Sequence, residues 1–136
     1  MIVCLDSEAF RALAGPDSEA KRRVRRILQA ASRLGRDVQV PTLVLAELYR
    51  GRGHNQLVDA CLARERASLA SRDTDRELAR IVGGVLAAAG SDSSMIVDAH
   101  VVATAVDAGG GVLVTGDRAD LERLSAPYHH IAVEAI

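Results

Sequence analysis

Short apolar runs alternate with segments of helical period along the whole chain, and that alternation most constrains what it can fold into. "IVCL" at 2–5 reads as a buried strand that ends in Asp6. Phe10, Leu13 and Ala14 follow at helical spacing, and Gly15-Pro16 stops that helix. Val24, Ile27, Leu28, Ala31 and Leu34 then mark one face of a helix from about 18 to 34, ended by Gly35. "DVQVP" predicts a strand at 37–40, with Pro41 in the first turn of a helix carrying Leu43, Val44 and Leu48. "GRGHN" breaks that helix, and a short one follows through Leu62. A weak strand at 67–73, a helix at 74–89, a loop at 90–94 and a helix at 96–108 come next. Residues 111–114 give a fourth strand, 118–125 a final short helix, and "YHHIAVEAI" an edge-like strand. Gly83-Gly84, inside the helix at 74–89, suggests close approach of another backbone.

Strands alternating with helices specify a parallel sheet with helices on both faces. The chain of 136 residues fits one domain over 1–136, and its 49% apolar content is enough for a core without staples. In such sheets ligands bind beyond the carboxyl ends of the strands, where the strand order reverses. The residues just after each strand are therefore the candidates for chemistry.

Composition removes several classes of function. The net charge of −1 argues against bulk polyelectrolyte binding of nucleic acid, though not against a local basic patch. Phe10, Tyr49 and Tyr128 are the only aromatic residues, too few for a base-stacking platform. Cys4 and Cys61 are too isolated for a disulfide framework or a zinc site. No apolar run reaches a membrane span, and "MIVCLD" lacks the features of a signal peptide, so a reduced, cytoplasmic protein is expected. Lys21 is the only lysine, which removes mechanisms needing an active-site lysine elsewhere.

Asp6 directly follows the first strand, and Asp117 follows the fourth after Thr115-Gly116. If those strands are neighbours, both carboxylates open on one crevice. Each also has a plain local reading, as the cap of the helix that follows it. Glu47 lies three residues after Val44 and four after Leu43, so it shares a helix face with apolar residues. Either it points inward toward a partner or a metal, or it edges a solvated face beside Arg50. Asp98 stands on the stripe of Val101, Val102 and Ala105 near a helix start, where the helix dipole alone favours a carboxylate. Four acids converging on one sheet end would repel one another and raise their own pKa values. A hard divalent cation such as Mg²⁺ relieves this with oxygen ligands, and such ions serve phosphodiester hydrolysis. Zinc prefers His and Cys.

"IVCLDSEAF", "VPTLVLAELYRG", "IVDAHVVATA" and "GGVLVTGDRADLERL" resemble, in order and spacing, the acidic motifs of PIN-domain ribonucleases, and most of all VapC-type toxins of bacterial toxin–antitoxin pairs. The resemblance runs along nearly the whole chain. It implies a three-layer α/β/α fold around a short parallel sheet of about four or five strands. It implies a Mg²⁺- or Mn²⁺-dependent endoribonuclease, with Asp6, Glu47, Asp98 and Asp117 as catalytic and metal-binding residues. Thr115 matches a hydroxyl beside the last acid, and Ser7 matches a Ser or Thr after the first. It also implies a homodimer and a cognate antitoxin that blocks the acidic site. Some relatives carry further acids where this chain has Ala119, followed by Asp120, and Met95. Those departures bear on a second metal more than on activity, and leave Asp120 as an auxiliary ligand or a solvated helix residue.

Arg50 and Arg52 follow Glu47 closely and are the candidates for holding RNA phosphates. "KRRVRR" at 21–26 reads as a solvated helix face, because Val24 belongs to the apolar stripe. His54, His100, His129 and His130 are read as structural or surface residues, the last two alternating across a strand. Two other readings remain. A receiver or haloacid-dehalogenase domain also places an Asp after its first strand, but the first needs a late lysine and the second an Asp where Glu8 stands. A PIN-like module that binds RNA or protein without cleaving is the non-enzymatic alternative.

Overall fold

A computed structural model describes residues 1–136. Its centre is a five-stranded sheet of β1 (Ile2–Leu5), β2 (Val38–Pro41), β3 (Leu69–Arg72), β4 (Gly111–Thr115) and β5 (Ile131–Ala135). The order is β3-β2-β1-β4-β5, and every pairing is parallel. The chain steps outward from β1 to β3, then returns to the other side of β1 for β4 and β5. The reversal thus falls between β1 and β4, the two strands whose exits carry Asp6 and Asp117.

The helices are α1 (Ser7–Ala14), α2 (Glu19–Arg33), α3 (Thr42–Leu48), α4 (Arg52–Glu65), α5 (Arg76–Ala88), α6 (Ile96–Asp107) and α7 (Arg118–Ser125). α6 packs on β1, β2 and β4 with α5 and α7 beside it, while α1 packs on β1 and β4 with α2 and α4 around it. The result is the expected three-layer α/β/α arrangement. α3 touches both α1 and α6, so it crosses the carboxyl end of the sheet and links the two helical layers.

β1 is buried at every position, and the core runs from it through Phe10, Leu13 and Val24 on one side to Val101, Val102 and Leu113 on the other. Each fully buried side chain of this kind contributes about 1.5–3 kcal/mol. Several boundaries differ from the sequence reading. Pro41 closes β2 and caps α3 rather than opening its first turn. α4 begins at Arg52 and runs to Glu65, taking in Gly53, His54 and Asn55, because the break is made earlier, over residues 49–51, with Gly51 at φ +115°. Val58 and Cys61, both buried, anchor that helix and outweigh the glycine within it. His129 and His130 lie in a turn before β5, with His130 at φ +66°, so they do not alternate across a strand. Gly83 and Gly84 are exposed, and a Cβ at either would meet nothing, so no backbone of this chain packs there.

Candidate active site

The register of the central pair builds the site. Leu5 stands opposite Val114, and the Asp6 amide donates to the Val114 carbonyl at 3.1 Å, so both strands end level. Asp6 is 6% exposed and caps α1, accepting from the Ala9 amide at 2.8 Å. Thr115 is fully buried, and its hydroxyl donates to the Asp117 carbonyl and accepts from the Asp117 amide, both at 2.9 Å. That bracket fixes the main chain of Asp117, whose side chain caps α7 through the Ala119 amide at 3.2 Å. Both capping readings are therefore correct, and neither excludes the site. Each cap uses one carboxylate oxygen and leaves the other.

Asp6, Asp98, Asp117 and Glu47 line one hollow of about 290 Å³, together with Ser7, Glu8, Arg11 and Asp120. No apolar residue lines it. Glu47 arrives from α3, across the sheet end, and its carboxylate accepts a short hydrogen bond from the Ser7 hydroxyl. It is exposed and does not point into the core, but it lines the acidic hollow from the edge of that helix face. Asp98 enters half-buried from the first turn of α6.

The electrostatics follow from this crowding. Burial, then the charges of Asp120, Asp6, Glu47 and Asp117, push the Asp98 carboxyl up to about 6. Burial also raises Asp6, against the pull of the Ala9 amide. Six carboxylates share the hollow with a single guanidinium. Such a site is short of positive charge, and its all-oxygen donor set suits a hard divalent cation rather than zinc. The side chains do not already stand as a closed ligand set. Glu47 and Asp117 lie exposed at the rim, and three of the acids spend one oxygen on Ala9, Ala119 or Ser7. The donor type suits such an ion, while no three of these side chains stand as a ligand set in this arrangement.

Glu8 and Arg11 are the lining residues that sequence reasoning missed as site members. Glu8 folds against Gly116, where its carboxylate takes the space a Cβ would fill. Its only sequence signal was its position two residues after Asp6. Arg50 and Arg52 lie outside the hollow. Arg50 lines a neighbouring, more apolar cavity of about 350 Å³ with His54, Leu48 and Phe10, and donates from Nε to the Glu47 carbonyl at 3.0 Å. Arg52 is exposed at the start of α4. The basic run on α2 is neutralised, with Arg22 and Arg26 paired to Glu19 and Arg25 to Glu65. His100 is buried, with Nδ1 2.8 Å from the Ile96 carbonyl.

A parallel sheet that collects carboxylates at its reversal point offers oxygen donors for a hard cation, and comparison with known proteins gives the class. Residues 3–127 match the model of the PIN domain, and the chain belongs to that family, whose members are nucleases, generally dependent on divalent metal. Among solved structures the chain is similar to VapBC2 from Rickettsia felis bound to a DNA fragment from their promoter. The identity is 17%, covering 100% of this chain and 99% of that one, with a TM-score of 0.68. It is also similar to DNA-bound VapBC from Salmonella typhimurium, at 18% identity over 99% of this chain and 98% of that one, with a TM-score of 0.62. At these identities the likeness is one of fold. No curated protein matches the sequence. No helix is long and apolar enough to cross a membrane.

Proposed function

We propose that this chain is a Mg²⁺- or Mn²⁺-dependent endoribonuclease and the VapC-type toxin of a toxin–antitoxin pair. The observation that carries the reading is the acidic hollow itself, in which Asp6, Glu47, Asp98 and Asp117 reach one place from four separate parts of the chain. Asp6 and Asp98 form the inner, more buried half of the cation site, and Asp117 and Glu47 the outer half. When bound, the divalent ion supplies an activated water and stabilises the leaving oxygen of the phosphodiester. Ser7 holds Glu47 in place, and Thr115 holds the turn that carries Asp117. Asp120 adds charge beside Asp98 and serves as an auxiliary ligand. Arg50 and Arg52, on the α3–α4 side, contact RNA phosphates outside the hollow.

The two similar structures are VapBC complexes, which supports an antitoxin as partner. A protein presenting a cation would neutralise the same carboxylates that hold the metal. A homodimer in the cytoplasm completes the reading.

Cleavage of single-stranded RNA tests the proposal. Wild type should cleave with Mn²⁺ or Mg²⁺, stop with EDTA, and lose activity as Asp6→Asn, which keeps the α1 cap. Equal cleavage by wild type and variant, or none by either across varied RNAs, overturns it. The second outcome would favour a binding module without activity, a reading that Met95, Ala119 and the open arrangement of the carboxylates support.

A further inference from the structure

Arg11 lies on the second turn of α1, five residues after Asp6. It is the only cationic side chain lining the acidic hollow. It also lines the neighbouring apolar cavity, and a third hollow beside Gly15 and Gly116. No other residue lines all three. Its guanidinium is nonetheless in no ion pair and no hydrogen bond. Elsewhere in the same layer Arg22, Arg23 and Arg26 reach a carboxylate, while Arg33 and Arg52 are unpaired like Arg11 but line none of these hollows.

Of the two hollows that adjoin the acidic one at Arg11, the apolar cavity is the more basic: Arg11, Arg50 and His54 line it and Glu47 is its only acid, whereas the other has Arg11 and Glu8. A guanidinium is always charged, and its planar fork matches two phosphate oxygens at once. Resting on the ribonuclease reading above, we propose that Arg11 holds the phosphate flanking the cleaved one, on the side of the apolar cavity, and so positions the RNA across the hollow. This assigns the unpaired cation at the rim a substrate-binding role, and places Arg50 further along the same path.

The test uses the full chain and a labelled single-stranded RNA of mixed sequence. Binding is measured in the inactive Asp6→Asn background, with and without Arg11→Ala, over a series of salt concentrations. Losing one charge-assisted phosphate contact should weaken binding about tenfold. It should also reduce the slope of log affinity against log salt by about 0.7, the share of one phosphate on a single strand. In the active background Arg11→Ala should raise KM with kcat little changed, and Arg11→Lys should recover the salt slope but only part of the affinity. Arg11→Lys, which keeps the charge beside the carboxylates, should leave the melting temperature unchanged, since the guanidinium makes no ion pair or hydrogen bond in the fold. If wild type cleaves while Arg11→Ala binds with unchanged affinity and slope, the assignment to Arg11 is wrong. If wild type neither binds nor cleaves RNA, the ribonuclease reading fails, and this inference with it.

Discussion

Replacing Asp98 by Asn should stabilise the metal-free protein while destroying its site. The Asp98 carboxyl is pushed up to about 6 by burial and by four neighbouring carboxylates. Relative to an ordinary Asp near ~3.9, that displacement corresponds to at most about 3 kcal/mol against the charged form. Asp98 is half-buried, and water screens part of the repulsion, so a gain on the order of 1 kcal/mol is expected. For a chain of this length that raises the melting temperature by roughly 3–5 °C. The folded-state value lies above the unfolded one. The stability linked to this proton is therefore fully present below about pH 4 and is lost as pH rises through about 6. The Asn variant does not undergo that loss. Its advantage should be absent near ~pH 4, grow through pH 5–6 and level off above ~pH 7. Thermal denaturation in EDTA across this range is the assay. Adding Mn²⁺ at pH 7.5, a working value about 1.5 above the Asp98 midpoint, should stabilise wild type and not the variant. An advantage that is flat with pH, or a variant less stable than wild type in EDTA at high pH, would refute the repulsion argument.

Two further outcomes test the frame around the site. Glu65 is 6% exposed and meets Arg25 at 2.6 Å and Arg64 at 3.5 Å, whereas the Arg25 side chain is 41% exposed. Arg25→Ala leaves the buried carboxylate only the longer contact with Arg64 and should cost about 2 kcal/mol, while Glu65→Ala frees an arginine that reaches water and should cost less; denaturant midpoints showing the reverse order would contradict this. Gly111 pairs with Ile2, and a Cβ there would overlap the Ile2 backbone. Gly111→Ala should force β1 and β4 apart and cost about 1–3 kcal/mol in chemical denaturation, and an unchanged midpoint would show that the pair is looser than described.

The layers were legible because buried parallel strands are short apolar runs and the helices between them keep a 3.6-residue period. Asp6 and Asp117 were legible as positions but not as roles. A cap and a metal ligand make the same local demand, an acid at a helix start, and here one side chain meets both. Glu47 was ambiguous for another reason. Helical spacing shows which residues share a face, but not that α3 crosses the sheet end, where the neighbours of its apolar residues look onto a hollow rather than a core. Glu8 and Arg11 follow Asp6 by two and five residues and resemble any solvated helix surface. Only the passage of α3 over the sheet end, touching α1 on one side and α6 on the other, separates them from the other surface charges. The break, read at 51–55, falls at 49–51, because local propensity counts Gly53 against a helix, while the burial of Val58 and Cys61 is a tertiary effect.

The account turns on a divalent cation held at the exits of β1 and β4. Crystals soaked in Mn²⁺ and measured for its anomalous signal test this directly. A peak within bonding distance of carboxylate oxygens of Asp6, Asp98 and Asp117, with Glu47 beside it, is the predicted result. A peak elsewhere, or none at saturating Mn²⁺, would contradict it.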